Sequence, residues 1–311
     1  MLIRYLLGSL AFLCLCQLTA QRFSTTAVDS LFAEWDSPDQ PGAAIGIFQD
    51  GATIYQQGYG SANLEHRIPI TPKTVFRVGS VSKQFTAACF LLLVAEGKVT
   101  LDTKLTHFYP DFPAYGKDIT MAHLLYHTSG LRDYDQLVQY SPSCDFDCFY
   151  EEDLLSLLYR QQALNSPPGT QFQYTNSGYW LLGQIVEKIS GLALAEFAQN
   201  HLFDTLDMQQ SHFAVDYTRV VANKAYGYEE DPESAAGYYW YNTTNSIIGD
   251  GGLMTSIADF KHWDDAFYQR EVLTDAFWKL ASTRGQLANG DTLTYAAGYD
   301  VTNHKGWTLH Q

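Results

Sequence analysis

The chain has 311 residues, of which 46% are hydrophobic, 14% aromatic and 17% charged. This composition excludes a disordered chain, a collagen-like repeat and a small disulfide-stapled scaffold, and it supplies enough apolar residues for a sizeable core. Acidic residues outnumber basic residues 34 to 19, so the net charge is −15. Because an anionic surface repels phosphate groups, we expect no nucleic acid partner, and the charge itself favours solubility.

The first 20 residues are typical of a secretory signal peptide. One cation, Arg4, precedes an apolar run from Tyr5 to about Leu18, and the small residue Ala20 ends the segment. The run is shorter than the roughly 20 apolar residues that a membrane span needs. We therefore predict cleavage after Ala20, a secreted or periplasmic location and no stable membrane insertion afterwards. An uncleaved anchor is the less favoured alternative.

Three cysteines remain after that cleavage. Cys144 and Cys148 could close a small loop disulfide in an oxidising compartment, or both could stay unpaired, and their spacing does not choose between the two. Cys89 lies in an apolar helical pattern, which predicts a place in the core. We identify no metal-binding motif, so the sequence predicts a mechanism without metal or other cofactor.

Apolar periodicity predicts three elements in the next part of the chain. Residues at helical spacing over 28–35 indicate a helix, which two prolines end. Two apolar runs, 43–48 and 52–55, are joined by an Asp-Gly pair, which predicts a β-hairpin because both turn residues must tolerate positive φ. Over 80–97 the pattern is apolar on nearly every side, so we predict a buried central helix.

The middle of the chain reads as helices and polar loops. Thr120 is a predicted cap of a short helix, and a longer apolar helical face over 179–189 ends at a glycine. The segment 222–245 is aromatic and irregular, which indicates a cleft lining or, more commonly, packing over the core. Ser256 is a predicted cap of a further helix.

Strand-like patterns return over 292–301 and 307–309. Strands, a helical middle and strands again indicate a domain of sheet and helices that is interrupted by an all-helical insertion. After the signal peptide, 1–20, we assign 21–79 and 255–311 to a discontinuous sheet domain and 80–254 to the mostly helical domain.

Ser80-Val81-Ser82-Lys83 places a lysine three residues after a serine at the start of the predicted central helix. Residues three apart share a helix face, so the Lys83 amine is expected one turn beyond the Ser80 hydroxyl. A serine hydroxyl is a weak nucleophile, and a lysine whose pKa is lowered can accept its proton. Backbone N–H groups at the helix N-terminus would face an oxyanion near Ser80. The four-residue pattern alone would also fit a serine and a lysine on the protein surface. Its position at the start of a buried helix favours a catalytic role.

Tyr174-Thr175-Asn176 lies on a loop just before the long helix. A phenol that is hydrogen-bonded to a lysine can pass a proton between nucleophile and leaving group. The Asn176 amide offers a donor and an acceptor to a substrate amide or ester. Without Ser80, the same residues would indicate a loop tyrosine and an asparagine helix cap.

Ser-x-x-Lys, Tyr-x-Asn and a strand-end histidine, His310, follow one another in an order that resembles the serine β-lactamase and penicillin-binding protein superfamily. Within it, the chain is most similar to the class C β-lactamase-related branch of esterases and D-peptidases. The resemblance extends from about Pro41 to the last residue and includes Phe76-Arg77-Val78-Gly79-Ser80-Val81-Ser82-Lys83-Gln84, Leu124-Leu125-Tyr126-His127-Thr128-Ser129-Gly130-Leu131 and Gly249-Asp250-Gly251-Gly252-Leu253.

This resemblance implies a β-lactamase/transpeptidase-like fold of the α+β class, in which helices flank an antiparallel sheet and an all-helical domain is inserted. It also implies a role for each motif residue. Ser80 would be the acylated nucleophile and Lys83 its proton acceptor, with Tyr174 assisting as base or shuttle. Asn176 would orient Lys83 and the substrate, and His310 would bind substrate from the third motif. His127 would be structural.

The end of the chain departs from the family pattern. The third motif is His-x-Gly or Lys-Thr-Gly, and here the chain stops at His310-Gln311, before that glycine. We therefore expect the C-terminal strands and helix to be missing, as in a fragment or a decayed copy. Losing one oxyanion donor costs roughly 10²–10³ in rate, so weak or no catalysis is expected of the chain as it stands.

Together these patterns predict an exported, monomeric serine hydrolase that works through an acyl-enzyme at Ser80. Its substrate would be an ester, a β-lactam or a D-amino-acid peptide, which makes it an esterase, a D-Ala-D-Ala carboxypeptidase-like enzyme or a β-lactamase-like enzyme. An alternative is a catalytically impaired binder or sensor of cell-wall peptides. A structural domain with coincidental motifs ranks last.

Overall fold

The computed structural model describes residues 23–140, 151–241 and 246–311. The predicted signal peptide and the pair Cys144 and Cys148 lie outside these residues, so their cleavage and pairing stay predictions. Within the described ranges, every helix is too short or too polar to cross a membrane.

Helices and small antiparallel sheets share the described part of the chain. The α-helices are α1 (Thr25–Phe32), α2 (Ser82–Ala95), α3 (Leu105–Phe108), α4 (Met121–Leu125), α5 (Tyr134–Gln139), α6 (Glu151–Tyr159), α7 (Asn176–Ser190), α8 (Leu194–Ala198), α9 (Ile257–Gln269) and α10 (Asp275–Ala281). The strands are β1 (Ala43–Gln49), β2 (Ala52–Tyr59), β3 (Ser61–Asn63), β4 (Ile68–Pro69), β5 (Phe76–Arg77), β6 (His212–Phe213), β7 (Tyr228–Glu230), β8 (Tyr238–Trp240), β9 (Leu253–Thr255), β10 (Val301–His304) and β11 (Trp307–His310).

The predicted N-terminal hairpin is confirmed. Strands β1 and β2 pair antiparallel, and the turn residues Asp50 and Gly51 both have positive φ, 52° and 76°. Such a turn matches the twist of the two strands. Helix α9 lies on β1, where a Cβ at Gly46 would stand 2.6 Å from Ile257 Cγ2. Glycine at this position therefore allows the helix to pack closely on the strand.

A three-stranded sheet, in the order β5-β9-β6, fixes the loop that carries Ser80. Val78 N donates a 3.1 Å hydrogen bond to Leu253 O, and Leu253 N donates a 2.9 Å bond to Ser82 Oγ. These bonds join the Ser80 turn to the segment that follows Gly249-Asp250-Gly251-Gly252.

Helix α2 is the buried central helix that the sequence predicts. It packs against α7, α8 and α10, and its Cys89 is fully buried. The prediction of its first residue was wrong, because Gly79–Val81 form a separate 3₁₀ turn and α2 begins at Ser82. Ser80 therefore projects from this turn, at the mouth of the buried helix.

Local capping predictions are also confirmed. Thr120 Oγ1 accepts from His123 N at the start of α4, and Ser256 Oγ accepts from the N–H three residues on at the start of α9. Helix α7 ends at Gly191, whose left-handed conformation (φ 75°) closes the last turn.

The strand predicted over 292–301 was wrong for most of its length, because β10 begins only at Val301. Ala296 N bonds to Tyr299 O across a turn at Gly298, where φ is 92°. The segment 295–299 is thus a turn packed into the core. The second strand prediction, 307–309, is confirmed by β11.

The α+β class is confirmed. In the described residues the strands form several small antiparallel sheets, β1-β2, β3-β4, β5-β9-β6, β7-β8 and β10-β11. The residue limits of the sheet domain and of the helical domain stay predictions.

Candidate active site

Ser80 and Lys83 face each other at the entrance to α2. Ser80 is exposed on its 3₁₀ turn, whereas Lys83 is only 1% exposed in the first turn of the helix. Lys83 Nζ donates to Ser80 Oγ over 3.2 Å. The spacing of three residues therefore brings amine and hydroxyl together as predicted.

Tyr174 reaches the same hydroxyl from the loop before α7. Its Oη donates a 2.8 Å hydrogen bond to Ser80 Oγ, and Lys83 Nζ lies 4.9 Å from the centre of the Tyr174 ring. The Tyr174 side chain is 43% exposed. Of the two groups that touch Ser80 Oγ, tyrosine faces the solvent side and lysine the interior.

Two further oxygens hold the Lys83 ammonium. Its Nζ donates to Asn176 Oδ1 over 2.8 Å and to the main-chain oxygen of Asp250 over 2.7 Å. Together with Ser80 Oγ, these acceptors match the three donors of an ammonium group. A buried ammonium is stable only when it is paired in this way, so the site is built to hold a lysine at this position.

Asn176 is itself fixed by two carboxylates that sequence analysis did not identify. Its main-chain N donates to Asp133 Oδ2 and its Nδ2 donates to Asp135 Oδ2, each over 2.7 Å. Because Nδ2 is used in this way, Oδ1 must face Lys83. Both aspartates closely follow the string that ends at Leu131, and that proximity was the available clue.

Burial and neighbouring charges shift the pKa values of two carboxyls in this network. The pKa of Asp250 is raised by burial, against the opposing effects of the Lys83 charge and a hydrogen bond from Tyr134. Asp135 is exposed overall, but its carboxylate points inward onto Asn176. Its pKa is raised to about 6, first by loss of solvent and then by the charges of Asp250 and Asp133.

His127 supports the site from below. Its Nδ1 accepts from Thr175 N over 3.2 Å, and its Nε2 lies 3.1 Å from Tyr295 Oη. The ring is fully buried with its centre 4.3 Å from that of Tyr174. Burial, and then the charge of Lys83, lower its pKa to about 3. A neutral ring that supports the Tyr174 loop agrees with the structural role that the resemblance implied.

His123 and His127 are four residues apart, which is the spacing of two metal ligands on one helix, and sequence analysis overlooked this pair. The structure separates their roles, because α4 ends at Leu125 and His127 follows with a positive φ of 55°. The Nδ1 of His123 accepts from Thr120 N, within the cap of α4.

Gly298 also adjoins the site and was missed. A Cβ there would lie 2.5 Å from Gln84 N and 2.7 Å from the carbonyl carbon of Lys83. The turn between Ala296 and Tyr299 therefore packs directly on the first turn of α2, and any side chain would push that turn away.

His310 is not brought to the other four candidates. Its ring packs against Phe267 and Tyr299, with centres 5.0 and 5.5 Å away, at the side of α9. Burial, and then the charge of Arg270, lower its pKa. Among the described residues, no hydrogen bond or ring contact joins His310 to Ser80 or Tyr174. Its role in binding substrate stays a prediction.

Comparisons with known proteins identify the family of the chain. A sequence model of the family described as Beta-lactamase matches residues 28–311. The chain is 29% identical to a D-aminopeptidase of Gluconobacter oxydans over 290 residues, covering 87% of this chain and 53% of that protein. It is 27% identical to penicillin-binding protein 4* of Bacillus subtilis over 291 residues, covering 89% and 63%. The chain thus spans about half to two thirds of the length of these relatives.

Solved structures show the same fold. The octameric penicillin-binding protein homologue from Pyrococcus abyssi superposes with a TM-score of 0.79 at 26% identity, covering 93% of this chain and 67% of that one. A D-amino acid amidase from Ochrobactrum anthropi SV3 gives 0.75 at 21% identity, covering 92% and 82%. The chain therefore belongs to the beta-lactamase family, in the superfamily of serine β-lactamases and penicillin-binding proteins that its motifs resemble.

Proposed function

We propose that the protein is a serine hydrolase that forms an acyl-enzyme at Ser80 and cleaves peptides or amides of D-amino acids. One observation carries the proposal: Ser80 Oγ lies 2.8 Å from Tyr174 Oη and 3.2 Å from Lys83 Nζ. A nucleophile within reach of two proton carriers is the arrangement that acyl transfer requires.

The geometry suggests how the proton moves. In the arrangement described, Ser80 Oγ accepts from both groups, so one of them must first lose a proton. That group then takes the Ser80 proton as Oγ bonds to the substrate carbonyl carbon. Tyr174 is the exposed partner, so it is placed to pass the proton to the leaving amine as the C–N bond breaks. Lys83 stays beneath, held by its acceptors.

Hydrolysis of the acyl-enzyme repeats these steps with water. The water oxygen bonds to the acyl carbon and gives its proton to the group that served as base. Ser80 Oγ recovers a proton as its bond to the acyl carbon breaks, and the free acid leaves. Atoms and charges balance with no further reactant.

The substrate class is inferred from similar proteins. The names of two of them are D-aminopeptidase and D-amino acid amidase, and both terms describe cleavage of amide bonds at D-amino acids. Esters and β-lactams, which the motifs also allow, are the competing substrates in the experiment below. Export and a monomeric state are further parts of the proposal. Export is supported by the apolar segment before Ala20, whereas the Pyrococcus abyssi homologue is octameric.

Intact-mass spectrometry of the full chain tests the proposal, before and after exposure to a fluorophosphonate probe. We expect one adduct on the wild type and none on Ser80→Ala. Hydrolysis of D-phenylalanine amide, its L enantiomer, an aryl ester and a β-lactam then ranks the substrates, and the D-amide should be preferred. A wild-type chain without an adduct would refute the hydrolase, and a stable adduct without turnover would favour the binder or sensor.

Sedimentation of the same sample tests the proposed monomeric state.

A further inference from the structure

We propose that Tyr134 is a positioning residue for Lys83: its hydroxyl holds the Asp250 carboxylate and thereby keeps the Asp250 main-chain oxygen against the Lys83 ammonium. The inference rests on the proposed function, in which Lys83 takes part in activating Ser80. Tyr134 touches neither Ser80 nor Lys83 through a described hydrogen bond, so its action is exerted through Asp250.

The loop that supplies this oxygen is rich in glycine and is held by main-chain hydrogen bonds on both sides of Asp250, from Gly249 N to Gly251 O over 3.1 Å and from Ala214 N to Gly252 O over 2.8 Å. Asp250 stands between Gly249 and Gly251, and Gly252 follows; Gly249 and Gly252 have positive φ, 106° and 86°. Glycines leave a backbone with many accessible conformations. The Asp250 side chain adds to these main-chain bonds a further hold at the residue that carries the oxygen.

The Asp250 side chain makes one such contact of good geometry. Tyr134 Oη donates to Asp250 Oδ2 over 2.6 Å, and both residues are buried, at 5% and 7% exposure. The other oxygen, Oδ1, has no hydrogen-bond partner among the described residues. Arg77 and Lys83 act on the carboxylate through their charges. The tyrosine hydroxyl is thus the directional hold on this side chain.

Tyr134 is in turn fixed to the helix that carries Asn176. It is the first residue of α5, and its main-chain N donates to Ser177 Oγ over 2.9 Å. Its neighbours Asp133 and Asp135 are the two carboxylates that bind Asn176. The segment 133–135 therefore positions two of the three oxygens that accept from Lys83, namely Asn176 Oδ1 and the main-chain oxygen of Asp250.

Loss of the Tyr134 hydrogen bond should weaken the contact between Lys83 and the Asp250 main-chain oxygen. A hydrogen bond to a buried charged group weakens steeply when its acceptor turns away. If the Asp250 carbonyl loses its direction, the Lys83 ammonium has one acceptor fewer and can leave its place beneath Ser80. In metal sites, loss of the outer hydrogen-bond partner of a ligand lowers activity by about 10- to 100-fold, and we expect a loss of this order for Tyr134.

The test compares Tyr134→Phe with Tyr126→Phe in the full chain. Tyr126 is also a buried tyrosine, but its Oη has no hydrogen-bond partner in the described residues. Each variant thus removes one buried hydroxyl, and only the first removes a hydrogen bond. Both should fold, as checked by circular dichroism and thermal melting.

Two quantities are measured. The first is the proton exchange rate of the Lys83 ammonium by ¹⁵N NMR, with its resonance assigned by its loss in Lys83→Met. The second is the rate of Ser80 acylation by the fluorophosphonate probe. We expect Tyr134→Phe to speed exchange at least about tenfold and to slow acylation about 10- to 100-fold. Tyr126→Phe should match the wild type in both.

The outcomes separate this proposal from the proposed function. A Tyr134→Phe chain that matches Tyr126→Phe in the exchange rate, or in the acylation rate where the wild type is acylated, overturns the positioning role, as does a wild type without a protected Lys83 resonance. A wild type that is not acylated refutes the hydrolase, while the exchange comparison still decides whether Tyr134 holds Lys83. If Tyr134→Phe does not fold, Asp250→Ala serves instead, because it keeps the main-chain oxygen and removes the side-chain hold.

Discussion

Lys83 Nζ donates a 2.7 Å hydrogen bond to the main-chain oxygen of Asp250, 167 residues further along the chain. The bond ties the first turn of α2 to the glycine-rich loop before β9. It means that the position of the ammonium beside Ser80 depends on a distant loop as well as on the helix. Changes at some distance from Ser80 should therefore affect catalysis.

Tyr174→Phe should separate proton transfer from folding. The variant removes the hydroxyl that donates to Ser80 Oγ and keeps the ring that packs on His127. We expect the acylation rate to fall about 10²–10⁴-fold, the usual contribution of a general acid or base, with little change in the melting temperature. Tyr140→Phe, at a side chain that is 87% exposed, is the matched control. Equal rates in the two variants would contradict a role for Tyr174 in proton transfer.

Gly298→Ala should displace the start of α2. Gly298 and Gly290 have nearly the same φ, 92° and 93°, but a Cβ at Gly298 would collide with Gln84 N at 2.5 Å while one at Gly290 meets nothing within 4 Å. Both alanines suffer backbone strain of about 1–3 kcal/mol, and only the first adds a collision. We expect Gly298→Ala to be the less stable in urea unfolding and to lose acylation. Equal stability of the two variants would show that the contact with α2 is unimportant.

His127 should make the protein sensitive to acid. Its pKa is about 3 in the folded state, below the ordinary value of 6.5, because the buried ring resists protonation. The unfolded chain then binds the extra proton as pH falls from 6.5 towards 3, so the free energy of unfolding should decrease by up to about 1.4 kcal/mol per pH unit. His127→Asn, which keeps an acceptor for Thr175 N, should flatten this slope, and the exposed His304→Asn should not. The measurement is urea unfolding between pH 3.5 and 7.

Asp135 should make the protein less stable as pH rises, which is the opposite of the effect of His127. Its pKa is raised to about 6 in the folded state, from 3.8, so folding favours the protonated carboxyl. Its contribution to stability is therefore present below pH 3.8 and is lost as pH rises through 6. We expect the melting temperature of Asp135→Asn, relative to wild type, to increase between pH 4 and pH 7. The exposed Asp102→Asn should show no such trend, and a flat difference for Asp135→Asn would contradict the raised pKa.

Local structure could be predicted well because it depends on neighbouring residues. The Asp50-Gly51 turn and the caps at Thr120 and Ser256 need only short-range steric and hydrogen-bonding preferences. Where a local pattern failed, tertiary packing decided. Apolar and polar residues alternate around Gly298 as they do in a strand, but these residues form a turn that packs in the core against α2.

The sequence by itself predicted the contact between Ser80 and Lys83, because residues three apart at the start of a helical segment share a face. It also supplied Tyr174 and Asn176, through the resemblance of motif order rather than through any local rule. Only the tertiary structure decided which groups hold these residues. The oxygens come from two segments far from the residues they hold, Asp133 and Asp135 at the start of α5 and Asp250 in the glycine-rich loop, and hydrogen bonds over such sequence distances leave no periodic pattern. Packing also decided the place of His310, since its exposed ring lies against the aromatic rings of Phe267 on α9 and of Tyr299 instead of joining Ser80.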